Sequence, residues 1–245
     1  MKAFIALCAI FALAQGASLN HRIVGGNTAE PGQFKFIASL RQAGQDRHFC
    51  GSTIIGKRVL LTAAHCKVYE VSETVAVVGT NKQDDKNAKR HELEAFIIHE
   101  NYEPSSITND VAVIILKEDI EFGDLVQPLP LASRAISDDE RLTSAGWGLT
   151  SYPGNVPNDL QWMQMNVVSH DLCQWITGAS LTGKICTLEQ EGQGVCSGDS
   201  GGPLVNELNE IVGITSAAYL CALGMPDFFT DVYYFRDWIV SNGNL

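Results

Sequence analysis

The segment Cys196-Ser197-Gly198-Asp199-Ser200-Gly201-Gly202-Pro203 constrains this chain more than any other. It brackets one serine with glycines, which let the backbone turn sharply and leave N–H groups free to face a ligand. Here the Gly198 and Ser200 N–H groups can converge on a single anion, as an oxyanion hole requires. A serine hydroxyl is a poor nucleophile until a base takes its proton. Any fold that uses Ser200 must therefore carry a histidine to it from elsewhere, and Thr62-Ala63-Ala64-His65-Cys66 offers one.

Gly198-x-Ser200-x-Gly202 also has the spacing of the nucleophile elbow, whose partners follow in the order serine, acid, histidine. All six histidines (21, 48, 65, 91, 99 and 170) precede Ser200, which excludes that arrangement. The order histidine, acid, serine remains. Asp110 is the best acid in the interval. It opens Asp110-Val111-Ala112-Val113-Ile114-Ile115-Leu116, a run too apolar and β-branched for a solvent loop. A carboxylate at the mouth of such a strand is partly buried and needs donors, of which an imidazole N–H is one. Asp84-Asp85 and Asp138-Asp139-Glu140 sit in polar runs that read as solvated loops.

The chain is 245 residues long, which fits one or two domains. Short apolar strands at 59–63, 74–78, 111–116 and 211–216, separated by frequent turns, give an all-β signature. Phe235, Trp238 and Ile239 have helical spacing and predict a C-terminal helix, and Pro/Gly clusters near 153–157 mark a surface loop. Residues 1–17 read as a secretory signal, with Lys2 ahead of an apolar run from Ala3 to Ala14 and small residues at Gly16-Ala17. The run is too short to span a bilayer comfortably, so the expected product is soluble and extracellular. Cys8 leaves with the signal, and six cysteines remain for an oxidising compartment. Counting alone allows about fifteen pairings. No Cys-x-x-Cys or His-Glu-x-x-His occurs, so no metal site or cofactor is expected, while Gly79 to Glu94, with no acidic spacing typical of a ligand loop, leaves calcium undecided. Net charge is −11, or −13 once Lys2 and Arg22 are removed, with no basic run; nucleic acid and anionic membrane are poor partners. No Asn-x-Ser/Thr sequon is present.

From Ile23 onward the chain resembles the chymotrypsin-family serine proteases. Ile23-Val24-Gly25-Gly26, Thr62 to Cys66, Asn109-Asp110-Val111-Ala112, Gly146-Trp147-Gly148 and Gly198 to Pro203 occur in that family's order and spacing. Ile185-Cys186-Thr187-Leu188 and Cys221-Ala222-Leu223-Gly224 with Pro226-Asp227 are most similar to insect digestive chymotrypsins. The resemblance implies two packed six-stranded antiparallel β-barrels with a cleft between them. It divides the chain into a signal (1–17), an activation propeptide (18–22) and a protease domain (23–245). It also selects the disulfides Cys50–Cys66, Cys173–Cys186 and Cys196–Cys221.

The implied roles follow residue by residue. Ser200 is the nucleophile, His65 the general base and Asp110 its orienting acid, with Gly198 and Ser200 N–H groups as the oxyanion hole. Ser216 would also pair through its backbone with an extended substrate. Cleavage after Arg22 would free the Ile23 α-amine to pair with buried Asp199, so a zymogen is expected. The specificity pocket would be formed by Gly194, Val195, Ser197, Ser216, Ala218 and Asp227. Gly194 stands where trypsin-like enzymes carry a carboxylate, which implies an uncharged side chain before the scissile bond. Ala217 replaces the family's tryptophan, and Ala218 adds a methyl where glycine is usual. Asp227 either contacts a basic substrate, an arrangement shared with crab collagenases, or is screened, internally bonded or partly neutral.

The resulting expectation is a secreted, monomeric, chymotrypsin-like digestive endopeptidase of a gut lumen. Its partners would be protein substrates, an activating trypsin-like protease and protein inhibitors. Elastase-like or collagenolytic breadth is the enzymatic alternative. A non-catalytic binding relative would normally lack a triad residue, and a cascade protease would often carry an N-terminal module.

Overall fold

The computed structural model describes residues 23–219 and 221–245, so the signal, the propeptide and Arg22 lie outside the described residues. β1 (Asn27–Thr28) is followed by β2 (Ile37–Gln42), β3 (Arg47–Ile54), β4 (Val59–Thr62), β5 (Thr74–Val78), β6 (Lys89–Ile98) and β7 (Ala112–Leu116). β2 to β7 close an antiparallel barrel in the order β2-β3-β4-β7-β6-β5. β4 and most of β7 are buried along their whole length, which is why both read as continuous apolar runs rather than alternating ones.

The C-terminal half contains β8 (Arg141–Gly146), β9 (Gln161–Asn166), α1 (His170–Thr177), β10 (Lys184–Thr187), β11 (Pro203–Val205), β12 (Ile211–Ala218), β13 (Asp227–Asp231) and α2 (Arg236–Gly243). Its six strands and β1 form one seven-stranded sheet, ordered β1-β9-β8-β11-β12-β13-β10. β8 to β13 are the six strands of the expected second barrel, rolled into a half-barrel with β1 added at one edge. β1 crosses over and pairs with the start of β9, through Asn27↔Trp162 and Thr28↔Gln161. Only the residues just beyond β9 turn back to β10, through the Val167↔Thr187 bridge. The sheet rolls toward closure there without a full ladder.

α2 is the expected terminal helix, and it buries Ile239 completely. α1 has no counterpart among the sequence expectations. Ser169 caps it by accepting from Leu172 N at 3.2 Å, and Gly178 ends it in the left-handed conformation. The three disulfides pair as the resemblance implies: Cys50–Cys66, Cys173–Cys186 and Cys196–Cys221. No helix among the described residues is long and apolar enough to cross a membrane.

Candidate active site

Strand register brings the histidine and the acid together. Thr62 at the end of β4 lies opposite Ala112 at the start of β7, in antiparallel pairing. His65 continues beyond β4 and Asp110 precedes β7, so both emerge at the same end of the barrel. The Cys50–Cys66 disulfide ties the histidine turn back to β3. Closing a loop of this size by a disulfide is worth about 3 kcal/mol. Asp110 is 1% exposed. Its carboxylate accepts from His65 N (2.9 Å), His65 Nδ1 (2.8 Å) and Ser216 Oγ (2.6 Å). Its backbone carbonyl accepts from Thr230 Oγ1 at 2.7 Å.

The Ser216 contact has a local cause. β12 and β13 slip register between Thr215 and Ala217, which leaves Ser216 as an extra, bulged residue. A bulge re-aims a side chain out of the ladder, and here the hydroxyl reaches the Asp110 carboxylate. The acid of the first barrel is thus held partly by the second sheet. The sequence points to Ser216 for its backbone and for the pocket but not for this hydroxyl contact, and Thr230 carries no signal in the sequence short of this register.

The serine loop docks on the same wall. Gly51 N in β3 donates to the Ser200 carbonyl at 2.7 Å, and Gly201 N donates to the Thr215 carbonyl at 2.8 Å. A Cβ at Gly201 would collide with Thr62 Oγ1 and the Gly51 carbonyl, so the approach of loop to barrel demands glycine. Gly198 lies at φ 103°, in the region that favours glycine. Among the described residues, neither Gly198 N–H, nor Ser200 N–H, nor the Ser200 hydroxyl makes a hydrogen bond. These groups are open to a ligand, and catalytic hydrogen bonds commonly tighten only when substrate is bound.

Asp199 is buried and points the other way. Its carboxylate accepts from Gly148 N (2.8 Å) and Cys196 N (2.9 Å). Burial pushes its carboxyl up to about 6, against the pull of those two donors. A Cβ on Gly146 or Gly148 would collide with this carboxylate, which gives the Gly146-Trp147-Gly148 motif its physical reason. Ile23 is wholly buried, and Val24 bridges to Gly194.

A cavity of about 290 Å³ opens beside Ser200. Val195, Ser197, Ser216, Ala217 and Ala218 are among its lining residues, with Tyr152, which the sequence does not single out. Gly194 and Asp227 are not among its described lining residues. Asp227 lies behind them, 4% exposed, and accepts from Val195 N at 3.0 Å. A Cβ on Gly194 would come within 2.7 Å of its Oδ2, so the glycine makes room for the aspartate. Burial pushes the Asp227 carboxyl up to about 7, with the negative charges of Asp199 and Glu189 adding to the effect and the Val195 bond opposing it.

Two packed β sheets, a carboxylate-held histidine and a glycine-bracketed serine with open N–H groups define a serine protease of the chymotrypsin fold. The chain belongs to the trypsin family, whose description, Trypsin, matches residues 23–239. It is 38% identical to Chymotrypsin-2 of Vespa crabro over 221 residues, covering 90% of this chain and 99% of that one. It is 31% identical to Trypsin alpha-4 of Lucilia cuprina, covering 98% of each. A solved structure of neuropsin, a serine protease expressed in the limbic system of mouse brain, superposes with a TM-score of 0.82 at 28% identity. That match covers 89% of this chain and 98% of neuropsin.

Proposed function

We propose that this trypsin-family protease is exported, held inactive until cleaved after Arg22, and then hydrolyses peptide bonds that follow large apolar residues, in protein digestion. One observation carries the specificity: Ser200 shares its cavity with Val195, Ala217 and Ala218, and no acidic side chain is among the described lining residues. The likeness to Chymotrypsin-2 supports the same reading. Ala218 at the pocket also supports a narrower, elastase-like or collagenolytic preference, since one methylene is worth about 1–3 kcal/mol in discrimination.

In the proposed reaction an extended peptide pairs with the backbone of Ser216 and seats its side chain in the cavity. Ser200 Oγ attacks the carbonyl carbon while His65 Nε2 takes the hydroxyl proton. Asp110 holds the ring through Nδ1 and stabilises the imidazolium as it forms. The carbonyl oxygen gains its charge within reach of the Gly198 and Ser200 N–H groups. His65 then returns the proton to the leaving amine, the C–N bond breaks, and water removes the acyl group by the same steps.

Activation rests on Asp199. Among the described residues the buried Asp199 carboxylate meets two neutral donors and no countercharge, and the Ile23 α-amine freed by cleavage would supply one. Leaving a buried partner unpaired typically costs about 3–5 kcal/mol, enough to keep the uncut chain mostly inactive. The other partners follow from this chemistry: an activator that cuts after arginine, and inhibitors that present an extended loop to a monomer. A fluorophosphonate tests the reading. Labelling should appear only after trimming behind Arg22 and vanish in Ser200→Ala; equal labelling of the intact chain would refute the zymogen.

A further inference from the structure

Lys184, the first residue of β10, is a cation that the fold buries without a counterion; it is 9% exposed. Its backbone carbonyl accepts from His170 Nε2 at 2.9 Å, but no carboxylate or other acceptor among the described residues reaches its ammonium. Nζ stands instead over the Phe228 ring, 5.4 Å from the centroid, within reach of a cation–π contact. A buried charge is costly unless it is paired. Desolvation accordingly pulls the ammonium below the ordinary lysine range, and the Asp110 charge opposes that pull. Asp110 is no partner for it, because three other donors already hold that carboxylate.

Register shows which way this cation faces. Lys184 lies directly opposite Thr230 on β13, and side chains opposite one another in an antiparallel pair share a face. Thr230 Oγ1 donates to the Asp110 carbonyl at 2.7 Å, so that face is turned toward the catalytic acid. Phe228, two residues from Thr230 on the same strand, shares the face and lies opposite Ala217 on β12. Asp231 points the other way and accepts from Tyr233 N and Tyr234 N. Ala217, Phe228 and Lys184 thus form one continuous wall that leads from β12 to an unpaired ammonium. Only a methyl group, that of Ala217, stands at its near end.

We propose that Lys184 is a specificity-determining residue: it receives an acidic side chain, glutamate above all, at the fourth residue before the scissile bond. This rests on the substrate pairing with Ser216 in the proposed function. Side chains of an extended peptide alternate between two faces. The residue before the scissile bond enters the cavity beside Ser200, so the second and fourth face the other way, the way Ala217 does. The second lies beside the reacting carbonyl and His65, which leaves the fourth to cross Ala217 toward Phe228 and Lys184. Glutamate has one methylene more than aspartate with which to make that crossing. Its carboxylate supplies the counterion that the fold withholds.

The test uses protein trimmed after Arg22 and peptides that carry Phe before the scissile bond and differ only at the fourth residue, Glu or its neutral isostere Gln. Wild-type kcat/KM should favour Glu by about tenfold, as expected of a charge-assisted hydrogen bond in a partly buried site. The difference should lie chiefly in KM and shrink as salt is added. In Lys184→Met the Glu/Gln ratio should fall to about one, and Lys184→Arg should keep it, as guanidinium also pairs with carboxylate. Because the ratio is taken within each variant, a change in overall activity does not enter it. Equal cleavage of both peptides by wild type, or a preference for Glu that survives in Lys184→Met, would overturn the proposal. If Lys184→Met fails to fold, Ala217→Trp decides: it blocks the crossing with the lysine in place, so a preference for Glu that survives there also overturns it. Failure of the underlying reading looks different, as wild-type protein that cleaves neither peptide in a Ser200-dependent way.

Discussion

Three buried aspartates line the route from the histidine to the pocket, and they differ chiefly in how many donors reach them. The Asp110 carboxylate, on the catalytic side, has three: His65 N, His65 Nδ1 and Ser216 Oγ. Asp199, at the hinge of the serine loop, has Gly148 N and Cys196 N, and sits at about 6. Asp227, on the pocket side, has one donor among the described residues, Val195 N, and sits at about 7. In Asp199 and Asp227 burial disfavours the charged form, and each donor restores part of it. A carboxylate in the sequence of such a fold is therefore not yet a charge. Asp110, with three donors, sits against His65; Asp227, with one, titrates near neutral pH behind the residues that line the pocket.

The largest expected effect comes from disabling the best-served acid. Asp110→Asn should lower kcat about 10⁴-fold while leaving KM nearly unchanged, because an amide stabilises the wrong imidazole tautomer; steady-state kinetics of trimmed protein would show it. Next comes Asp199. Gly148→Ala places a methyl against its carboxylate, and kcat should fall on the order of 10²–10³, the range for a lost oxyanion donor. An unchanged rate would mean that Asp199 does not order the loop. Ser216→Ala removes one of Asp110's three donors and should cost about tenfold in kcat, in line with a charged hydrogen bond worth about 1.5 kcal/mol. Asp227→Asn should alter cleavage after Phe by no more than about twofold.

Asp227 has a clearer signature in stability. Its folded carboxyl sits near 7, above the ordinary carboxylate range, so the folded state holds the proton more tightly than the unfolded chain. Stability from this group is full at pH below the unfolded value and declines as pH climbs toward about 7. Asp227→Asn removes that decline. The melting temperature of the variant, relative to wild type, should therefore rise between about pH 5 and pH 8. A constant difference would mean that Asp227 is ionised throughout.

Much of the fold and the catalytic centre is legible in the amino-acid sequence. Gly198 to Pro203, Thr62 to Cys66 and the apolar run after Asp110 are local signals, since each chemistry needs its neighbours in sequence. The terminal helix is legible from the spacing of Phe235, Trp238 and Ile239. What escapes depends on register. The Ser216 hydroxyl reaches Asp110 because of a bulge, and Thr230 because β13 crosses behind the acid. Lys184 reads as an ordinary strand residue until pairing sets it opposite Thr230, with its ammonium over Phe228. Tyr152 comes from an irregular loop with no periodicity to follow. β1 joins the second sheet at the start of β9, through Gln161 and Trp162, a long-range pairing with no local signal in the sequence.

The most direct test asks whether Asp227 is a charge that substrates feel. Peptides differing only before the scissile bond, cleaved by trimmed protein at about pH 6 and about pH 8, would decide it. Phe, Tyr and Leu should be preferred over Arg and Lys at both values, with Asp227→Asn nearly indistinguishable from wild type. Cleavage after Arg that climbs through about pH 7, overtakes Phe, and disappears in Asp227→Asn would contradict it.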